Sequence, residues 1–77
     1  MTGLILKVDC PDQHGIVAKI ASYVADYAGN LAEFSQFTDA PNDKFFARVE
    51  IDTTELSVSV DDFITGFSTL GKSLKAN

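Results

Sequence analysis

The chain has no tryptophan, one cysteine, one histidine and two prolines in 77 residues. A single cysteine closes no internal disulfide, and with one histidine it falls short of the three or four soft ligands that a zinc site takes. Cationic charge is also scarce, with six Lys and Arg against eleven Asp and Glu and a net charge of −5. That balance repels a phosphate backbone and removes nucleic acid from the expected partners. No apolar run approaches the roughly 18 residues of a membrane span, and Met1-Thr2-Gly3-Leu4-Ile5-Leu6-Lys7 lacks the basic start of a secretory leader. The expectation is a cytoplasmic chain without metal, cofactor or membrane contact. What is present is 45% hydrophobic residues, too many for a disordered tail. One small domain of this length buries only about 60% of its unfolded surface, so a partner is expected to share the burden of stability.

The chain is organised around Cys10-Pro11-Asp12-Gln13-His14-Gly15, a polar loop between an apolar run ending at Val8 and an amphipathic run starting at Ile16. Pro11 cannot continue a strand ladder, and Asp12 can accept hydrogen bonds from the N–H groups that follow it. Gly15 removes a Cβ near the first helical turn, where exposed N–H groups carry the positive end of the helix dipole and suit a carboxylate. Two readings stand side by side. In one, Asp12 is an N-cap and Gly15 a turn residue; in the other, the loop holds a small anionic ligand. A thiolate–imidazole pair of Cys10 and His14 would need an orienting third group, and none is visible. Cys10 therefore reads as a small buried residue closing the strand, and His14 as a partly exposed one.

Leu4, Leu6 and Val8 share one face of a first strand, with Ile5, Lys7 and Asp9 on the other. From Ile16 the period changes: Ile16, Val17, Ile20, Ala21, Val24, Ala25 and Ala28 recur at helical steps, and Gly29-Asn30 reads as the C-terminal cap. Tyr23 and Tyr27 are expected beside this stripe, with their polar tips in water. Leu31 to Thr38 reads as a second strand near a sheet edge, its polar residues falling on both faces. After the turn signal Asp39-Ala40-Pro41-Asn42-Asp43, a third strand sets Phe45, Ala47, Val49 and Ile51 against Phe46, Arg48 and Glu50. Aromatics on both faces point to a partner subunit or domain on the side away from the helices. Ser59, with Asp62 three residues on, opens a second helix whose face is Val60, Phe63, Ile64, Phe67, Leu70 and Leu74. Gly66 and Gly71 each cost that helix about 1 kcal/mol relative to alanine.

The order strand, helix, strand, strand, helix is that of a βαββαβ unit without its last strand: an α+β, ferredoxin-like fold with two helices on one face of an antiparallel sheet. The first strand then has one bare edge, and a homodimer or higher oligomer is expected.

The loop CPDQHGIV, the helix end GNL, Gln36 and the string FFARVEID resemble an ACT domain, and more narrowly the N-terminal ACT domains of the formyltetrahydrofolate deformylase family. The likeness runs over Leu4 to Asp52; Thr53 to Asn77 matches only as a second amphipathic helix. The resemblance implies a single ACT domain over residues 1–77, truncated before its fourth strand and lacking the hydrolase domain that converts 10-formyltetrahydrofolate to formate and tetrahydrofolate. Such a chain is expected to have no deformylase activity of its own. The resemblance also carries an amino-acid site onto Asp12, Gly15, Ile16 and Asn30, with glycine or methionine as the type of effector. Backbone N–H groups at Gly15 and Ile16 would hold the α-carboxylate, and Asp12 or the Asn30 amide, the latter across a dimer interface, the α-ammonium. The alternatives are an ACT module kept for oligomerisation alone and a free-standing small ACT regulator.

Overall fold

A computed structural model describes residues 3–76. The elements follow in the order β1 (Gly3–Pro11), α1 (Ile16–Asp26), β2 (Asn30–Asp39), a short 3-10 turn (Ala40–Asn42), β3 (Lys44–Asp52) and α2 (Val60–Ser73). The three strands form one antiparallel sheet in the order β1-β3-β2, with both helices on one face. This is the expected ferredoxin-like pattern, with three strands among the described residues. β2 is an edge strand as the sequence suggests, and a bulge between Leu31 and Glu33 breaks its register with β3. β1 pairs with β3 on one side and with no strand on the other among the described residues.

Alternation places the core. Val8, Cys10, Phe45, Ala47, Val49 and Ile51 are buried under the helices, while Phe46 and Arg48 face outward as their parity requires. From α1, Ile16, Ile20 and Val24 enter the core at four-residue steps, and α2 contributes Phe63 and Phe67, with Leu74 just beyond its end.

Four local expectations need correction. The first is the buried stripe of α1, which leans away from Val17, 42% exposed, toward Tyr23 and Tyr27. Tyr23 packs against Tyr27, Phe63 and Phe67 with ring centroids 4.9, 5.0 and 5.8 Å away, because aromatic rings remove more apolar area from water than a valine can. Its hydroxyl is not in water: it donates to the Phe63 carbonyl at 2.7 Å, and burial pushes the phenol pKa up. Second, Val60 and Ile64 lie on the flank of α2, 40% and 39% exposed, for the same reason. Third, the left-handed residue ending α1 is Ala28 at φ 60, not Gly29. The N–H groups of Ala28 and Gly29 close back on Ala25 and Val24, at 3.1 and 3.0 Å, in a Schellman motif. Gly29 is glycine for room, since a Cβ there would meet Val24 Cγ1 at 3.0 Å and Ile51 Cγ2 at 3.3 Å. Fourth, Gly66 is no mere loss of propensity: a Cβ there would collide with the Tyr23 hydroxyl, so the glycine lets the helices approach.

Ala25 and Ala28, also read into the stripe of α1, are exposed, whereas the start and end signals of α2 behave as read. Ser59 Oγ accepts the Asp62 N–H at 3.0 Å, Asp61 and Asp62 occupy the first turn of α2 and Lys72 the last. No helix among the described residues is long and apolar enough to cross a membrane.

Candidate functional site: the loop between β1 and α1

Pro11 ends β1 opposite Lys44, and the chain then has four residues in which to reverse into α1. Three tethers hold this reversal. The Asp12 N–H donates to the Asp43 carbonyl at 2.9 Å, fastening the loop to the β2–β3 turn, where Asp43 itself is left-handed at φ 55. Gln13 Nε2 donates to the Pro11 carbonyl at 3.1 Å and to the Leu74 carbonyl at 2.9 Å. The second of these ties the loop to the end of α2, where Leu74 has left the helical ladder and its carbonyl needs a donor. Sequence reasoning did not single out Gln13; no short window shows that residue 74 returns to it.

Asp12 is not the N-cap. That position belongs to Gly15, at φ 78 and ψ 12, whose carbonyl accepts the Lys19 N–H at 2.9 Å. A Cβ on Gly15 would meet nothing within 4 Å, so its glycine is required by the left-handed backbone and not by crowding. Gly15 has no side chain with which to cap α1, and the first turn of the helix holds no acidic residue. Asp12, Gln13, His14 and Gly15 are exposed around this end, whereas the Ile16 side chain is buried and only its backbone can serve a ligand.

Asn30 is elsewhere. It pairs with Asp52, which pairs with Gly3, so it lies at the opposite end of the sheet from Pro11. Eight strand steps separate the two rows, on the order of 25 Å. One chain therefore gathers Asp12, Gly15 and Ile16 but not Asn30, and a site using all four draws Asn30 from a second copy.

Cys10 is fully buried on the helix side of β1. Burial first, and then the Asp9 and Asp12 carboxylates, push its thiol pKa up, so the group stays protonated where a nucleophile would have to ionise. Among the described residues no group of three or more His, Cys, Asp or Glu is placed to hold a metal ion.

A split βαβ sandwich with a tethered, uncapped loop at the end of its first strand defines a small ferredoxin-like α+β module. The chain belongs to the ACT domain family, whose model matches residues 4–63. A formyltetrahydrofolate deformylase from Synechocystis sp. is 37% identical over 71 residues, 92% of this chain and 25% of the relative. The same enzyme from Bacillus subtilis is 40% identical over 48 residues, 61% of this chain and 16% of the relative. Among solved structures, a formyltetrahydrofolate deformylase from Pseudomonas syringae pv. tomato superimposes with a TM-score of 0.87 at 32% identity, over 95% of this chain and 24% of that one. One from Burkholderia mallei, at 22% identity and TM-score 0.89 over the whole chain and 27% of the other, shares the fold. The chain thus spans only about a sixth to a quarter of the length of these relatives.

Proposed function

We propose that this chain is the regulatory, amino-acid-binding and dimerisation domain of a formyltetrahydrofolate deformylase and carries no hydrolase activity of its own. The observation that carries the reading is the N-terminus of α1: an exposed helix start, capped by a left-handed glycine and no side chain, within a loop tied to two other elements. Donors held in place before a ligand arrives lose little entropy when it does, and the dipole favours a carboxylate there. The α-carboxylate of a small amino acid of the glycine or methionine type would meet the Gly15 and Ile16 N–H groups. Its α-ammonium would meet Asp12, or Asn30 of a second copy.

The separation of Asn30 from the loop favours one further reading, in which the module serves oligomerisation and binds no effector. Titration calorimetry of the chain with glycine, methionine and serine separates the two. Saturable heat with one of them supports the amino-acid site; flat titrations with all three leave oligomerisation alone. In the regulatory reading the isolated chain releases no formate from 10-formyltetrahydrofolate.

A further inference from the structure

The sheet face turned away from the helices carries a charge pattern that selects one partner. The strand registers order it into five rows crossing β1, β3 and β2, of which Gly3, Asp52 and Asn30 form the outermost, beyond the four that follow. The first is acidic, with Glu50 on the central strand. The second is cationic, Lys7 beside Arg48. The third sets Asp9 beside Phe46, with Phe37 next, and the fourth has Lys44 at its centre. Phe37 is 64% exposed and its ring lies 6.3 Å from that of Phe46, at one side of a hollow of about 490 Å³ that also reaches Lys7, Asp9 and Arg48. Three of the six cations of the chain, Lys7, Lys44 and Arg48, lie on this face among the acids Asp9, Glu33, Asp39, Glu50 and Asp52, so charges of both signs are interleaved along it.

We infer that this face is the contact surface of a two-fold dimer of this chain. The two sheets meet face to face with strands antiparallel, and the axis crosses the strands between the cationic row and the aromatic row. That axis exchanges the second row with the third and the first with the fourth. Lys7 then faces Asp9 of the second copy, Arg48 lies over Phe46 of the second copy, and Glu50 faces Lys44 of the second copy, each contact occurring twice. Lys44 and Asp9, 3.9 Å apart within one chain, thereby gain a second opposite charge each. An axis along the strands instead stacks Lys44 on Lys44, Arg48 on Arg48, Glu50 on Glu50 and Asp52 on Asp52, like-charge collisions all along the central strand. The selected axis leaves one unfavourable pair, Glu33 against Asp39 of the second copy, on the outermost strand where water screens it.

Strand spacing and rise give a footprint of about 400 Å² per copy. That is the weak end of specific interfaces, so the dimer is reversible and not obligate. The inference rests on the dimerisation part of the proposed function and adds the surface and the symmetry.

The test is a crossed charge reversal followed by sedimentation equilibrium, from about 10 micromolar to about 1 millimolar, where so small an interface acts. Lys7→Glu alone sets two acids against each other at each contact, and Asp9→Lys alone two cations. Each variant, shown to be folded by circular dichroism, should self-associate about tenfold more weakly than the parent or worse. An equimolar mixture of the two should recover the parent association, because in the mixed dimer both contacts pair opposite charges. Salt at about 1 M, where the Debye length is about 3 Å, should weaken the parent and the mixture alike. A parent monomeric throughout overturns both the inference and the dimerisation reading. A parent dimer that neither reversal weakens overturns this face alone, as does a mixture that fails to recover.

Discussion

Replacing Gly66 with alanine sets helix propensity against packing. In an isolated helix the change stabilises by about 1 kcal/mol. Here the new Cβ lands on the Tyr23 hydroxyl and comes within 3.1 Å of Cζ and 3.3 Å of Cε1. The ring has nowhere easy to go, lying among Tyr27, Phe63 and Phe67 with centroids 4.9 to 5.8 Å away. Moving it gives up the 2.7 Å bond to the Phe63 carbonyl, worth about 0.5–1.5 kcal/mol, and imposes overpacking of about 1–3 kcal/mol. Set against the propensity gain, Gly66→Ala should destabilise by about 2 kcal/mol, or about 8–16 °C in Tm for a domain of this size. Urea denaturation measures the first figure and a thermal melt the second. Tyr23→Phe deletes the hydroxyl that the Cβ meets, so in that background Gly66→Ala should cost about 1 kcal/mol less, a coupling read from the double-mutant cycle. If Gly66→Ala alone raised stability, the helix contact described here would be wrong and propensity would dominate.

Val49→Ala, on the fully buried side of β3, should cost about 1–3 kcal/mol by denaturation, whereas Lys44→Ala, which loses only a half-exposed ion pair, should cost less than about 1 kcal/mol. At Gly15, held at φ 78, Val should cost about 1–2 kcal/mol in backbone strain and abolish amino-acid binding, while Asn, which tolerates that backbone, should cost less; calorimetry that finds binding unchanged in the Val variant removes this loop as the site. Hydrogen bonds from the Thr54 hydroxyl and N–H, at 2.6 and 3.0 Å, hold the Asp52 carboxyl below its ordinary pKa, so their stabilisation is present above the unfolded carboxylate pKa and lost as pH falls through the folded one. Thr54→Val should shrink that acid-side loss in a pH series of denaturation curves. The buried Cys10 thiol, with its raised pKa, should react with a thiol reagent far more slowly in native chain than in urea, and equal rates would contradict its burial.

The amino-acid order by itself determined the element sequence and the inward faces of β1 and β3. A period of two or of 3.6 lies within a few neighbouring residues, as Phe45 to Ile51 and the Ser59 cap show. It also located the loop, because Pro11 and Gly15 impose their backbone limits wherever the chain goes. The tertiary structure decided what depends on residues far apart in the chain. Which flank of α1 is buried turned on Phe63 and Phe67, forty or more positions away from Tyr23. The purpose of Gly66 is a contact with Tyr23, and that of Gly29 is clearance from Ile51 and Leu56; both look like flexibility until the elements are packed. The sign of φ decided that Gly15 and not Asp12 caps α1, and that Ala28 and not Gly29 ends it, a choice open to several residues in any such loop. Whether Asn30 could join the loop was a question of length: an 11-residue helix and a nine-residue strand carry the two to opposite ends of the sheet. Spacing along the chain says nothing of direction in space, so only the fold could place them apart.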